Sequence, residues 1–239
     1  MPFSLHQRSI EEELMDDPAI HADRFVGSLR GLHRVNRATG SPRILWPIIQ
    51  ATANTISERP LRVLDVACGG GDNIIDLSRR AQRAGIKVQF HGSDVSPRAI
   101  EHAQSRVETA SVDAHFFVHD AVAQPIPDEY DLIMCSLFLH HLHEEDAPRF
   151  LRQAAEAAQH TLAIHDLVRK QSGYWLAWFG TRALLCNDVC HHDGPLSVSK
   201  AFTLDEMRRL AEDAGLENSS LEPKFPGRFL WVWRKGPTL

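Results

Sequence analysis

Apolar and polar positions divide the chain into two regimes. Over residues 9–57 the pattern is helical, with no strand signal. Ser9 followed by Glu12 has capping-box spacing. Pro42 and Pro47 punctuate the segment, and Asn36–Ser41 (N-R-A-T-G-S) has turn composition. Two or three helices are expected there. After Pro60 the period changes. Short apolar runs at Leu61–Ala67, Val88–Ser93, His115–His119, Tyr130–Ser136 and His160–His165 predict five strands. Between them, Asp72–Ala84, Pro97–Ala110 and Glu144–Ala158 predict helices, the second opened by Ser96 as N-cap and Pro97 at N1.

The last third reads differently. Gly173–Cys186 is an aromatic, apolar helix and Asn187–Ser199 a polar loop. Thr203–Ala214 is a helix with a Thr203/Glu206 capping box and Gly215 as its terminator. Leu216–Lys224 and Phe229–Lys235 are closing strands joined by a Pro226-Gly227 turn. Strand–helix alternation over residues 61–170 predicts an α/β, doubly wound parallel sheet. The partition is one domain: a helical cap at 1–59, and a body at 60–239 with a substrate-side insertion at about 170–200.

Composition narrows the class only slightly. With 43% hydrophobic and 24% charged residues, the 239-residue chain is ordinary globular protein. A net charge of −5 argues against a nucleic-acid partner. There is no signal-peptide pattern at the N-terminus, and the longest apolar stretch, Leu132–Leu139, is too short to span a bilayer. Four cysteines, Cys68, Cys135, Cys186 and Cys190, need no disulfides, so a cytoplasmic location is expected.

The strongest local signal is V-L-D-V-A-C-G-G-G-D, Val63 to Asp72. An apolar strand carrying Asp65 delivers Gly69, Gly70 and Gly71 to a helix N-terminus, where backbone can approach a ligand closely. The second strand ends at Asp94, 23 residues after Gly71, the spacing of a ribose-binding carboxylate. Ile74 stands where a dinucleotide fingerprint would have its third glycine.

These residues resemble the class I S-adenosylmethionine-dependent methyltransferases, over residues 60 to about 235. Asp65 with A-C-G-G-G matches the family's first motif, Asp94 its ribose acid, and His119-Asp120-Ala121 its adenine-binding motif. C-S-L-F-L-H-H-L, Cys135 to Leu142, resembles the fourth-strand motif of the methyltransferase-11-like group. The resemblance implies a Rossmann-like seven-stranded sheet in the order 3-2-1-4-5-7-6 with an antiparallel last strand. It implies S-adenosylmethionine as cofactor, met by Asp65, Ala67, Gly69, Gly71, Asp94, Val95, Asp120, Ala121 and Ser136, with Arg43 (or Arg34 or Arg37) for the methionine carboxylate.

The acceptor expected is a small molecule methylated at an oxygen (phenolic, quinone-like or polyketide-like) or an acidic carbon, because the fourth strand lacks the N-P-P-Y-type motif of amide and base methylation. Histidine is the usual base for a hydroxyl. His140 and His141 follow the fourth strand and are the first candidates; His165, His191 and His192 are held in reserve, and Asp166 is placed to orient a histidine or the substrate. Cys186, Cys190, His191, His192 and Asp193 have zinc-ligand chemistry but no second ligand pair at finger spacing, so no metal is expected. Tyr174, Trp175, Trp178 and Phe179 fit either core packing or an aromatic acceptor pocket. A nicotinamide-dependent oxidoreductase and a catalytically silent cofactor-binding protein are the alternative readings.

Overall fold

The computed structural model describes residues 5–56, 58–127 and 129–236. Residues 1–4, part of the N-terminus read for a signal, and Ser57, the end of the expected helical segment, lie outside the described residues. Among the described residues eight helices, α1 (Ala22–Thr39), α2 (Ser41–Thr55), α3 (Asp72–Ala84), α4 (Pro97–Ala110), α5 (Asp146–Ala157), α6 (Gln171–Ala183), α7 (Asp188–Lys200) and α8 (Leu204–Asp213), accompany seven strands. These are β1 (Leu61–Val66), β2 (Val88–Asp94), β3 (Ala114–Val118), β4 (Leu132–Ser136), β5 (Thr161–Leu167), β6 (Ser219–Lys224) and β7 (Arg228–Arg234). Short 3-10 helices cover Leu14–Asp16 and Leu139–His141.

The strands form one sheet in the order β3-β2-β1-β4-β5-β7-β6. β7 runs antiparallel to both its neighbours and the other strand pairs are parallel. This is the order and polarity that the family resemblance implies. The two-residue period of β1 explains how both faces are covered. Leu61 and Val63 pack with Leu45, Ile49 and Leu77 from α2 and α3. Leu64 and Val66 pack on the opposite face with Phe150 and Leu151 of α5. Both strand faces are thus dry, as in a parallel sheet covered by helices. α1, α6 and α7 pack on one another at the carboxyl edge instead.

Local signals account for most of the element boundaries. Ser96 Oγ accepts from Ala99 N at 3.3 Å, with Pro97 in the first turn. The Thr203/Glu206 capping box is fully formed at the start of α8. Gly40, in left-handed conformation, separates α1 from α2.

Two expectations are corrected. No helix starts at Ser9. Its Oγ accepts from Glu11 N rather than from Glu12, its own N–H donates to Ser199 O, and α1 begins only at Ala22. Residues 9–13 run across α7 because Glu13 and the turn after it find partners there. The expected polar loop at 187–199 is α7, a helix capped by Asn187 Oδ1 on Cys190 N. It is buried on several sides, through Val189, Cys190, Leu196 and Val198, so it shows no one-sided stripe.

Gly71 caps α3 at φ +73°, and a Cβ there would come within 3.0 Å of the Phe116 ring. Gly71→Ala is expected to cost about 1–2 kcal/mol from left-handed strain alone. In a chain this size that is roughly 2–8 °C in melting temperature. Scanning calorimetry checks it; an unchanged melting temperature would mean the loop relaxes at no cost.

Candidate active site

Where β1 ends, the backbone turns sharply and Ala67 adopts φ +54°. The loop that follows faces a cavity of about 880 Å³. Asp94, at the end of β2, is fixed by two backbone donors, Gly69 N to Oδ2 and Ser96 N to Oδ1, each at 2.9 Å. Burial raises its pKa against those two hydrogen bonds. Each carboxylate oxygen keeps acceptor capacity toward the cavity, which suits a pair of hydroxyls. Beside it Val95 is 63% exposed and offers an apolar wall.

Asp65 lies two residues behind Ala67, 1% exposed, with neither oxygen hydrogen-bonded. Burial, reinforced by Asp94 and Asp72, pushes its carboxyl well above the usual range. A buried carboxylate without a partner is costly. A cationic group held over the glycine loop would offset that cost.

The opposite wall is a cluster of histidines and acids. β4 ends at Ser136, Leu137 adopts φ +57°, and the Leu139–His141 turn follows. His140 is 3% exposed, with Nδ1 2.7 Å from Asp166 Oδ1 and Nε2 3.6 Å from Glu13 Oε1. Desolvation works against its charged form, yet Asp166 and Glu13 prevail and raise its pKa to about 9. Asp166 is held low in turn: burial is outweighed by His140 and by the N–H groups of Leu167 and His140. Glu13 is also held well below the carboxylate range, because His141, His140 and Lys200 outweigh its burial.

His141 keeps 25% side-chain exposure and sits on the cavity wall. Its Nδ1 lies 3.1 Å from Asp16 Oδ2, and its Nε2 lies 3.8 Å from Glu13 Oε1, too far for a hydrogen bond. Phe138 stacks on its ring at 6.4 Å between centroids.

Glu13, His140 and His141 also place one potential ligand atom each within 4.8 Å of one another. Lys200 Nζ already lies 3.4 Å from Glu13 Oε1 and supplies positive charge to the same carboxylate.

A roof closes this edge of the sheet. Asp193 on α7 accepts from Leu14 N and Met15 N at 2.9 and 3.0 Å. Ser197 Oγ donates to Glu13 Oε1 at 2.9 Å. Arg8 donates to the carbonyls of His140, Leu142 and Lys200. Sequence reasoning assigned nothing to Glu13 or Asp16, and the acidic run at 11–17 carries no motif that would have marked them.

Of the residues singled out from the sequence, Ala67, Gly69, Asp94, Val95, Ser136, His140 and His141 share the cavity wall. Gly71, Asp65, Asp120, Ala121 and Arg43 do not line it. Asp120 Oδ1 accepts from Val122 N and Ala123 N, and Ala121 is buried beside it. Arg43 is exposed, since α2 turns Leu45, Ile48 and Ile49 to the sheet. Arg34 and Arg37 are exposed as well, and Arg34 donates to Leu185 O.

His165 is wholly buried and kept neutral, its pKa pushed down to about 3 by burial and by Arg228. His191 and His192 lie outside the wall, and His192 pairs with Asp193 at 3.0 Å. Cys186 and Cys190 are buried thiols that donate to Gly31 O and Ser28 O of α1, and burial pushes Cys190 up to about 12. Of the aromatic run, Tyr174 is buried as core while Trp175 and Phe179 are exposed, and α6 lines the cavity instead with Gly173, Leu176, Ala177, Gly180 and Thr181.

A methyltransferase-domain family matches residues 63–160. A ubiquinone biosynthesis O-methyltransferase of Ralstonia nicotianae is 30% identical over 195 residues, covering 80% of this chain and 73% of that protein. A demethylmenaquinone methyltransferase of Deinococcus radiodurans is 34% identical over 87 residues, and the match spans only 34% of its length. Among solved structures, the magnesium protoporphyrin IX methyltransferase of Synechocystis, with S-adenosylhomocysteine bound, superposes with a TM-score of 0.56 at 17% identity, covering 82% of this chain and 84% of that one.

The chain therefore belongs to the class I S-adenosylmethionine-dependent methyltransferases, and it is an enzyme of that kind. Its cofactor is S-adenosylmethionine. Among the described residues no helix is long and apolar enough to cross a membrane.

Proposed function

We propose that this chain methylates an oxygen of a small aromatic or quinone-like acceptor, with His141 as general base. The observation that carries the reading is the Asp16–His141 pair on the wall of the cavity that also holds Asp94 and the glycine loop. The naming of the Ralstonia relative as an O-methyltransferase of ubiquinone biosynthesis supports an oxygen acceptor.

Bound S-adenosylmethionine supplies a methyl group already activated by a sulfonium. Asp94 would hold the ribose hydroxyls, Val95 would face the adenine, and Asp65 would offset the positive charge near the glycine loop. Ser136 and Gly69 complete the wall on that side.

The proton of the acceptor hydroxyl goes to His141 Nε2. With Nδ1–H donating to Asp16, the imidazole is in the tautomer that leaves Nε2 as acceptor. Asp16 and Glu13 stabilise the imidazolium that forms. When bound, S-adenosylmethionine would give its methyl to that oxygen and leave as a neutral thioether, while Asp16 and Glu13 hold the charge on the ring.

His140 does not compete for the proton. Flanked by Asp166 and Glu13 it is already charged at neutral pH, and it fixes Glu13 beside His141.

Asp94→Ala tests the cofactor side. Loss of charged hydrogen bonds to a ribose costs about 1.5–3 kcal/mol, or tenfold to hundredfold in affinity. Calorimetric titration with S-adenosylhomocysteine, below the melting transition of the variant, reads this directly. Unchanged affinity would leave Asp94 as a turn residue only.

A further inference from the structure

Three lysine and arginine side chains are buried among the described residues: Arg169, Lys200 and Arg228. Two have carboxylate partners. Arg169 meets Glu206 at 2.6 Å, and Lys200 lies 3.4 Å from Glu13. Arg228 has none. It is 3% exposed and its guanidinium donates only to neutral groups, Nη1 to Ser41 Oγ at 2.6 Å and Nη2 to Asn36 Oδ1 at 3.3 Å. Asp166 contributes a favourable field, but its oxygens are taken by His140 and Leu167 N. Burial pulls the Arg228 pKa down to about 10, so the group stays cationic at neutral pH.

A buried cation without a counter-ion is among the least favourable arrangements in a protein interior. Arg228 also lines the cavity, as does Asn36. It opens β7, opposite Leu167 at the carboxyl end of β5. Because β4 and β5 lie between β1 and β7, it stands about 14 Å across the sheet from the glycine loop, at roughly 4.8 Å per strand. The cavity wall thus holds Asp94, apolar residues such as Val35, Leu176 and Ala177, and two guanidiniums: Arg98, which is only partly buried and lies over the Phe25 ring, and the buried Arg228.

We propose that Arg228, supported by Asn36, receives a carboxylate carried by the methyl acceptor, so that the substrates are hydroxylated aromatic or polyketide-like acids. The inference rests on the methyl-transfer reading above and names the acceptor class. A guanidinium fork matches a planar carboxylate in two parallel hydrogen bonds. A neutral phenol would leave the cation unpaired and more deeply desolvated. The acceptor is then held at both ends, its hydroxyl at His141 and its acid group at Arg228, which fixes the attacking oxygen by position.

The test compares 3,4-dihydroxybenzoate with catechol, and 4-hydroxycinnamate with 4-vinylphenol. Each is titrated into protein saturated with S-adenosylhomocysteine, as wild type, Arg228→Met and Arg228→Lys. In the wild type the acid of at least one pair binds tenfold or more tighter than its neutral partner. Arg228→Met erases that preference, leaves S-adenosylhomocysteine affinity within twofold, and does not lower the melting temperature of the ligand-free protein. Arg228→Lys, which keeps the charge without the fork, retains part of the preference.

A wild type that shows no preference in either pair overturns the proposal, whether it binds both members or neither. So does a preference that survives in Arg228→Met. Weakened S-adenosylhomocysteine binding in Arg228→Met would assign the guanidinium to the cofactor, and a lowered melting temperature would assign it to fold stability. Failure of the wild type to bind S-adenosylhomocysteine at all would instead overturn the underlying methyl-transfer reading.

Discussion

His141→Ala lowers kcat by about 10²–10⁴-fold, the usual contribution of a general base, while S-adenosylhomocysteine affinity stays near wild type. The expectation follows from position. Both histidines line the cavity, but His141 keeps 25% of its side chain exposed against 3% for His140, and its Nδ1 is already occupied by Asp16. Its loss leaves His140 and Lys200 beside the buried Glu13 carboxylate, so it should cost little stability. Asp16→Asn gives a smaller loss of the same kind, because the amide still holds the ring but no longer stabilises its charged form. Single-turnover measurement with an oxygen acceptor separates the chemical step from binding. A kcat within tenfold of wild type for His141→Ala would mean that the acceptor ionises without help and that positioning alone carries the reaction.

Asp166→Asn should act on stability, and in a pH-dependent way. His140 has a folded pKa of about 9, above its ordinary value of 6.5, so its contribution is complete below about pH 6.5 and disappears as pH rises through 9. A shift of that size corresponds to about 3 kcal/mol. Asp166 and Glu13 are displaced the other way, so their contributions hold above the ordinary carboxylate range and fade only in acid. Wild-type stability should therefore be flat near pH 6 and fall toward pH 9.5. Asp166→Asn removes the largest influence holding the His140 proton. It should lower stability by about 3 kcal/mol at pH 6 and by little at pH 9.5. Urea midpoints at the two pH values measure the difference. An equal loss at both would mean that the carboxylate acts by shape and not by charge.

The sheet and its glycine loop were readable because their information is local. Buried strands appear as short β-branched runs, and Ser96-Pro97 and Thr203/Glu206 are caps whose partners lie three residues away. The strand order had no such local signal and came through the family resemblance. α7 was missed for a physical reason: with Val189, Cys190, Leu196 and Val198 buried and Pro195 inside the helix, periodicity has no polar face to contrast. The aromatic run of α6 fits core or pocket equally by composition; Tyr174 is core, and the helix lines the cavity with Leu176 and smaller residues instead of the aromatics. The histidine pair could be found from its place after the fourth strand. Its differentiation could not, because the residues that set His140 apart from His141 are Glu13, Asp16 and Asp166, two of them more than a hundred residues away in the chain.

That distance along the chain bears on how the enzyme comes into being. The roof is tied by Leu14 N to Asp193, 179 residues apart, and by Arg8 to Lys200, 192 apart. Asn36 meets Arg228 across another 192. Contacts of such separation close only after most of the chain entropy has been spent elsewhere. The sheet from β1 to β5 can form around its own local pairings while Glu13 and Asp16 still lack α7 to dock on. The histidines would then be present but unequipped, His140 with Asp166 but without Glu13, and His141 without the group that sets its tautomer. During synthesis the two ends of the protein must meet before it has a base, so a chain released short of α7 would carry the cofactor loop and be silent as a catalyst.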